Sequence, residues 1–265
     1  MTNPGAAGTV AAQRWAADLA GWRIPAEILA QAPQSPWIHP VELFRAGSDP
    51  VPDTPSRQRA AAALAGGGSV LDVGCGGGRA AFALTPPATQ LIGVDQQQGM
   101  LDAFAAGARL RGVSHEEVLG DWPAVAAATP VADVVVCHHV LYNVAALPEF
   151  VAALTAHARR RVVVELPQQH PLSTMSPLWQ RFWGLQRPTC PTADDALAVI
   201  REAGFDAGLT TWTDEPKTGL PQRLRVEFAR IRLCLGPERD GEVAQALAEL
   251  PDRPRPTATL WWDAG

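Results

Sequence analysis

The stretch Val70-Leu71-Asp72-Val73-Gly74-Cys75-Gly76-Gly77-Gly78-Arg79 carries an apolar strand straight into a run of glycines and on into an Ala-rich segment of helical composition. Gly74, Gly76 and Gly78 predict positive φ and a backbone that a ligand can approach where a side chain would collide. The next apolar run, Leu91-Ile92-Gly93-Val94, ends at Asp95, 21 positions after Gly74, where the hydroxyls of an adenosine ribose need an acceptor. A glycine turn alone equally suits a tight strand-to-helix connection. The strand before it, the helix after it and Asp95 together favour a nucleoside-binding loop. A dinucleotide site would place its third glycine at position 79, where Arg79 stands, and would leave Asp72 without a role. A cationic ligand group would give Asp72 one.

Outward from this loop, strand-like and helix-like segments alternate. Strands are expected at 69–73, 90–94, 132–137 and 161–166, with a short one near 115–119. Helices are expected from the glycine loop through Leu84, at 97–108 and at 146–157. Strands separated by helix-length crossovers imply a parallel sheet covered on both faces, and Val134-Val135-Val136 and Val162-Val163-Val164 are apolar on both sides as interior strands require. The fold class expected is therefore α/β, a doubly wound Rossmann-like sheet. Before it, residues 1–52 hold a helix over Ala11 to Ala20 and then prolines at 25, 33, 36, 40, 50 and 52, which read as an N-terminal helical and proline-rich appendage. Residues 53–265 form the main domain, opening on a helix at Asp53-Thr54-Pro55 whose capping side chain precedes a first-turn proline.

After Pro167 the pattern weakens. Residues 167–191 show no clear periodicity and contain His170, Trp179, Phe182 and Trp183, which suits a lid. A helix follows at 192–203, a strand near 207–213, a helical insertion near 220–250, and a last strand at 257–262. Leu224 to Leu235 fits both helical spacing and strand alternation, and helix is preferred. Trp261 and Trp262 fall on opposite faces of their strand.

The chain has 265 residues with 22 basic and 27 acidic side chains, a net charge of -5, which argues against nucleic acid as a partner. The arginines at 159–161 and 223–232 read as solvated surface. No apolar run is long enough to span a bilayer, so no membrane partner and a cytoplasmic setting are expected. Cys75, Cys137, Cys190 and Cys234 are far apart and lack ligand spacing, implying neither a metal site nor a disulfide framework. Lys217 is the only lysine, which excludes lysine-dependent chemistry elsewhere.

Asp72-Val73-Gly74-Cys75-Gly76-Gly77-Gly78 resembles the first motif of class I S-adenosylmethionine-dependent methyltransferases. The resemblance continues at Asp95, at Gly120-Asp121-Trp122 and at Asp133 to Val144, and so covers roughly residues 53–165 in order. It implies a seven-stranded, mostly parallel sheet with an antiparallel last strand, S-adenosyl-L-methionine as cofactor and S-adenosyl-L-homocysteine as product. The contacts it implies are Asp72, Gly74, Cys75, Gly76 and Gly78 on the methionine part, Asp95 on the ribose and Asp121 with Trp122 beside the adenine. Gln96, Met100 and His138 join them as cofactor contacts. The chain departs from the family between 158 and 162, where Ala-Arg-Arg-Arg stands in place of a Pro-Gly-Gly turn.

Methyl transfer from a sulfonium is an in-line displacement in which positioning alone can contribute about 7–11 kcal/mol, and a general base adds on the order of 10²–10⁴-fold. His138, His139, Tyr142 and His170 are the candidate catalytic residues, each with a structural role as the alternative. Strand alternation predicts that at most one of His138 and His139 faces the cofactor, and Glu165 reads as an acceptor supporting a base. The function expected is methyl transfer to a small-molecule acceptor. An RNA or protein methyltransferase, a non-catalytic cofactor-binding protein and a nicotinamide oxidoreductase are the alternatives. Against base methylation stand the absence of an Asn-Pro-Pro-Tyr-like turn and of a Pro-Cys nucleophile, since Cys190 follows Thr189. The oligomeric state is left open.

Overall fold

The computed structural model describes residues 8–37, 52–213, 221–251 and 254–265; the later part of the proline-rich appendage, 38–51, and Lys217 lie outside the described residues. Seven strands form one sheet: β1 (Gly68–Val73), β2 (Ala88–Asp95), β3 (Ser114–Leu119), β4 (Ala132–His138), β5 (Ala158–Pro167), β6 (Gly208–Thr213) and β7 (Pro256–Asp263). Their spatial order is β3-β2-β1-β4-β5-β7-β6. β1 pairs in parallel with β2 and β4, and β7 runs antiparallel between β5 and β6. The chain leaves β1 first toward β2 and later returns on its other side as β4. The carboxyl ends of β1 and β4 therefore flank the point where strand order reverses, the place where open α/β sheets bind ligands.

Each sheet face buries its own apolar layer. Leu71, Val73, Ile92, Val135, Val162 and Val164 pack against α6 (Leu147–Ala156), α8 (Ala193–Glu202) and α1 (Val10–Ala20). On the other face Val70, Leu91, Val134, Val136 and Val163 meet α3 (Pro55–Ala63), α4 (Arg79–Phe82) and α5 (Gln98–Leu110). The start of α3 follows its sequence signal, with Thr54 Oγ1 accepting from the Arg57 amide and Pro55 in the first turn. A capping box of Thr192 and Asp195 starts α8. A third apolar cluster lies among α2 (Ala26–Leu29), α7 (Ser176–Trp183), α9 (Gln222–Arg232) and α10 (Asp240–Ala248), forming a helical cap with its own small core.

Several expectations are corrected. The helix after the glycine loop stops at Phe82, short of Leu84, because Pro86 and Pro87 lack the amide protons that would continue it. Within 167–191 there is regular structure: a 3-10 turn at Pro171–Met175 leads into α7, whose Leu178, Trp179, Phe182 and Trp183 share one stripe. Prolines at 167, 171, 177, 188 and 191 shorten that periodic stretch below the length at which its period is legible. Arg230 and Arg232 are buried, not solvated, with Arg230 Nε 2.7 Å from Asp240 Oδ1 and its Nη1 donating to the Leu235 carbonyl. The helix preferred for Leu224 to Leu235 is found as α9, and Trp261 and Trp262 do divide between the two sheet faces.

Candidate active site

The glycine loop lies at the carboxyl end of β1. Gly74, Gly76 and Gly78 take φ of 72, 50 and 87°, the left-handed region expected of them. The Gly74 and Cys75 amides both donate to the Val94 carbonyl, pinning the loop to the end of β2. A Cβ on Gly74 would stand 2.4 Å from Val140 Cγ2, so the residue after the β4 histidines closes directly over the loop. Asp95 completes the clamp, with Oδ2 accepting from the Gly76 amide at 3.0 Å and Oδ1 from the Gln97 amide at 2.9 Å. Each carboxylate oxygen accepts more than one bond, so Asp95 retains capacity for ribose hydroxyls.

Asp72 sits beneath the loop, buried, and accepts from the Ala81 amide at 3.2 Å. Burial pushes its carboxyl up to about 7; the Ala81 hydrogen bond opposes the shift and the nearby Asp95 charge adds to it. A cation arriving at this point would meet a carboxyl poised to ionise. Cys75 and Cys137 are buried beside Asp72, and burial followed by that neighbouring charge pushes both thiols up, which removes them as nucleophiles.

Along the next two strand ends the expected cofactor residues separate. Gln96 and Asp121 are exposed, while Met100 is buried on the inner face of α5. Trp122 is buried with its ring edge against His157, centroids 4.9 Å apart, and its Nε1 has no hydrogen-bond partner among the described residues.

At the ends of β4 and β5 the histidines depart from strand alternation. His139 has φ of 62°, which turns the chain off the strand, and its amide donates to the Glu165 carbonyl at 2.7 Å. As a result both rings converge on one carboxylate: His139 Nε2 is 3.3 Å and His138 Nδ1 3.8 Å from Glu165 Oε1. The expectation that the two rings diverge fails because alternation ends where β4 ends. Burial lowers the His138 pKa, Glu165 opposes that and His139 reinforces it. Burial also works against the Glu165 charge, but His138, His139 and Ser56 outweigh it and hold the carboxyl at about 2.

Tyr142 and His170 point into the junction between sheet and cap. Tyr142 is buried, stacks on Trp15 at 5.7 Å and donates to the Pro167 carbonyl at 2.9 Å. Burial, then Asp195 and Asp194, push its phenol up. His170 lies flat on Trp22, accepts from the Leu172 amide on Nδ1, and is lowered to about 3 by burial and then by Arg187. Its ring is neutral at physiological pH. Arg187 in turn lies 5.1 Å from both the Trp22 and Trp179 rings and donates to the Trp22 and Arg23 carbonyls.

Residues 70–161 match a family model described as a methyltransferase domain. The matched stretch, 92 of the 265 residues, runs from the strand before the glycine loop into β5, so this part of the chain carries a methyltransferase domain. No curated protein sequence matches it. Among solved structures, a methyltransferase from Thiobacillus denitrificans in complex with S-adenosyl-L-homocysteine shares 17% identity over 90% of this chain and 98% of its own, with a TM-score of 0.52. The YcgJ protein from Bacillus subtilis shares 15% identity over 78% of this chain and 97% of its own, at a TM-score of 0.53. Magnesium protoporphyrin IX methyltransferase from Synechocystis PCC 6803, solved with S-adenosyl-L-homocysteine, shares 16% over 79% and 82%, at 0.50. These likenesses are of fold.

The donor set suits S-adenosyl-L-methionine, the cofactor the sequence resemblance implies: a buried carboxyl at Asp72 that a cationic group could meet, a loop of positive φ, and at Asp95 oxygens with capacity for ribose hydroxyls. Sequence reasoning missed Val140, which packs on the loop, and Ser56 and Thr259, whose hydroxyls meet at 2.7 Å across 203 residues of chain. A single buried Ser or Thr carries no periodic signal. Only Glu165, at the end of an apolar run, was marked.

Proposed function

We propose that this methyltransferase transfers a methyl group from S-adenosyl-L-methionine to a small-molecule acceptor. When bound, the cofactor supplies a methyl on a positively charged sulfur, a leaving group that needs no protonation. In this reading Asp72 receives the cationic amino group, Gly74, Cys75, Gly76 and Gly78 line the methionine part, and Asp95 binds the ribose hydroxyls. Gln96, Met100, Asp121 and Trp122 border the adenine side, and His138 with His139 stands toward the acceptor. Tyr142 and His170 hold the 167–191 segment against the sheet edge, where it acts as a lid.

The observation that carries the choice of a small acceptor is the helical cap. It follows the carboxyl end of β5 directly, has its own apolar cluster, and is tied to the N-terminal segment by the Trp22 and His170 stack. A cap fastened both to the end of β5 and to the N-terminal segment suits an enclosed acceptor better than an open nucleic-acid or protein groove, and the net charge of -5 agrees. The experiment is transfer of tritiated methyl from the cofactor to a cell extract divided into low-molecular-weight, RNA and protein fractions. Label in the low-molecular-weight fraction is expected, and label confined to RNA or protein would overturn the assignment.

A further inference from the structure

One face of the sheet is apolar along β1, β4 and β5 until it reaches the carboxyl edge, where a polar row crosses it. His138 is the register partner of Glu165, and Glu165 is the register partner of Thr259 on β7. Ser56, in the first turn of α3, reaches down onto the row and is 1% exposed; Thr259 is 0% exposed. Polar groups at that depth persist only when they are bonded, so the row needs complete partners.

One bond of the row has a fixed direction. Trp212 Nε1 has only a proton to give, and it donates to Thr259 Oγ1 at 3.0 Å. The Thr259 and Ser56 hydroxyls meet at 2.7 Å, and either can donate to the other. Thr259 and Ser56 are thus partnered within the row, beside Glu165. On the far side of the carboxylate stand His138 and His139.

We infer that Glu165 is a positioning residue which holds His139 as the proton acceptor for the methyl-accepting group. His139 is preferred over His138 on geometry. Its Nε2 is the nitrogen nearest the carboxylate, at 3.3 Å, which leaves Nδ1 as the lone-pair nitrogen. Its side chain is 54% exposed, against 20% for His138, so it can meet a substrate. A left-handed φ of 62° on a residue with a Cβ is held by the bond from its own amide to the Glu165 backbone.

The inference rests on the methyl-transfer reading and deepens it. The acceptor gives its proton to His139 Nδ1 as it bonds to the methyl carbon, the electron pair of the broken S–CH3 bond stays on sulfur, and the imidazolium formed is paired with the Glu165 carboxylate.

The test reads the His139 ring tautomer from the nitrogen signals of isotopically labelled protein saturated with S-adenosyl-L-homocysteine, by NMR at alkaline pH. In the unaltered protein the neutral ring is expected to carry its proton on Nε2, the nitrogen facing Glu165, and in E165A that preference is expected to be lost. A proton held on Nδ1 in the unaltered protein overturns the inference whether or not E165A folds, and so does an unmoved preference in folded E165A. Failure of the unaltered protein to bind S-adenosyl-L-homocysteine would instead overturn the methyl-transfer reading, an outcome the tautomer readings do not imitate.

Discussion

Asp95 accepts a hydrogen bond from the Gly76 amide at 3.0 Å, so the carboxylate that ends β2 also holds open the glycine loop that follows β1. One residue thus shapes the loop and, in the function proposed, would also bind the ribose. Asp95→Ala is expected to weaken S-adenosyl-L-homocysteine binding by more than roughly tenfold, the loss of a charged hydrogen-bond acceptor at about 1.5–3 kcal/mol. Asp95→Asn, which keeps one accepting oxygen, should fall between the two. Calorimetry on the three proteins checks the order, and an unchanged affinity in Asp95→Ala would remove this residue from the site.

Gly74 faces Val140 across a gap that a Cβ would close to 2.4 Å, at a φ of 72°. Gly74→Ala therefore combines overpacking with a left-handed alanine, and about 2–4 kcal/mol of destabilisation is expected. Adding Val140→Ala should recover the packing part only. Urea denaturation of the single and double variants gives the coupling directly, and strictly additive losses would show that the two residues do not press on one another.

Asp72 is held at about 7 in the folded protein against 3.8 for an unperturbed carboxyl, because burial disfavours its charge. The folded state thus binds more protons than the unfolded state between these values, and the contribution of Asp72 to stability declines as pH rises from about 4 to 7. Asp72→Asn should flatten that slope in the unliganded protein. A cationic ligand group beside Asp72 lowers its pKa again, so cofactor binding near pH 6 should release up to one proton. Calorimetry in buffers of different ionisation enthalpy reads this number, and no release, or uptake, would place the cation elsewhere.

Trp22 stacks on His170 with ring centroids 3.9 Å apart and 11° between planes, and its Nε1 donates to the Cys190 carbonyl at 2.6 Å. Trp22→Ala is expected to destabilise by about 3–5 kcal/mol and to make residues 167–191 the first site of limited proteolysis. Trp22→Phe keeps a ring on His170 and loses the indole donor, for about 1 kcal/mol. Equal losses in the two variants would mean that the stack contributes nothing.

The fold was legible because its signals are local. Val134 to Val136 announce an interior strand by composition alone, Thr54-Pro55 marks a helix start within two residues, and Gly74, Gly76 and Gly78 specify backbone angles that other residues resist. Half of the candidate site was legible for the same reason, since Asp72 and Asp95 are set by their places at strand ends. The acceptor side was not. His138 and His139 were visible as residues, but their convergence on Glu165 depends on a positive φ at His139 that adjacent letters do not encode. Likewise the burial of Arg230 and Arg232 follows from how α9 packs against its neighbours, which helical periodicity alone left open.

By itself, the sequence determined a doubly wound sheet with a glycine loop and a paired acidic residue at its ligand-binding edge, because strand period, helix caps and glycine angles act over a few bonds. Only the tertiary structure decided that Ser56 meets Thr259, that Trp22 covers His170 and that two histidines share one carboxylate. Those contacts join residues up to 203 positions apart, and they form where strand register and helix packing bring buried polar groups that must find partners to the same point.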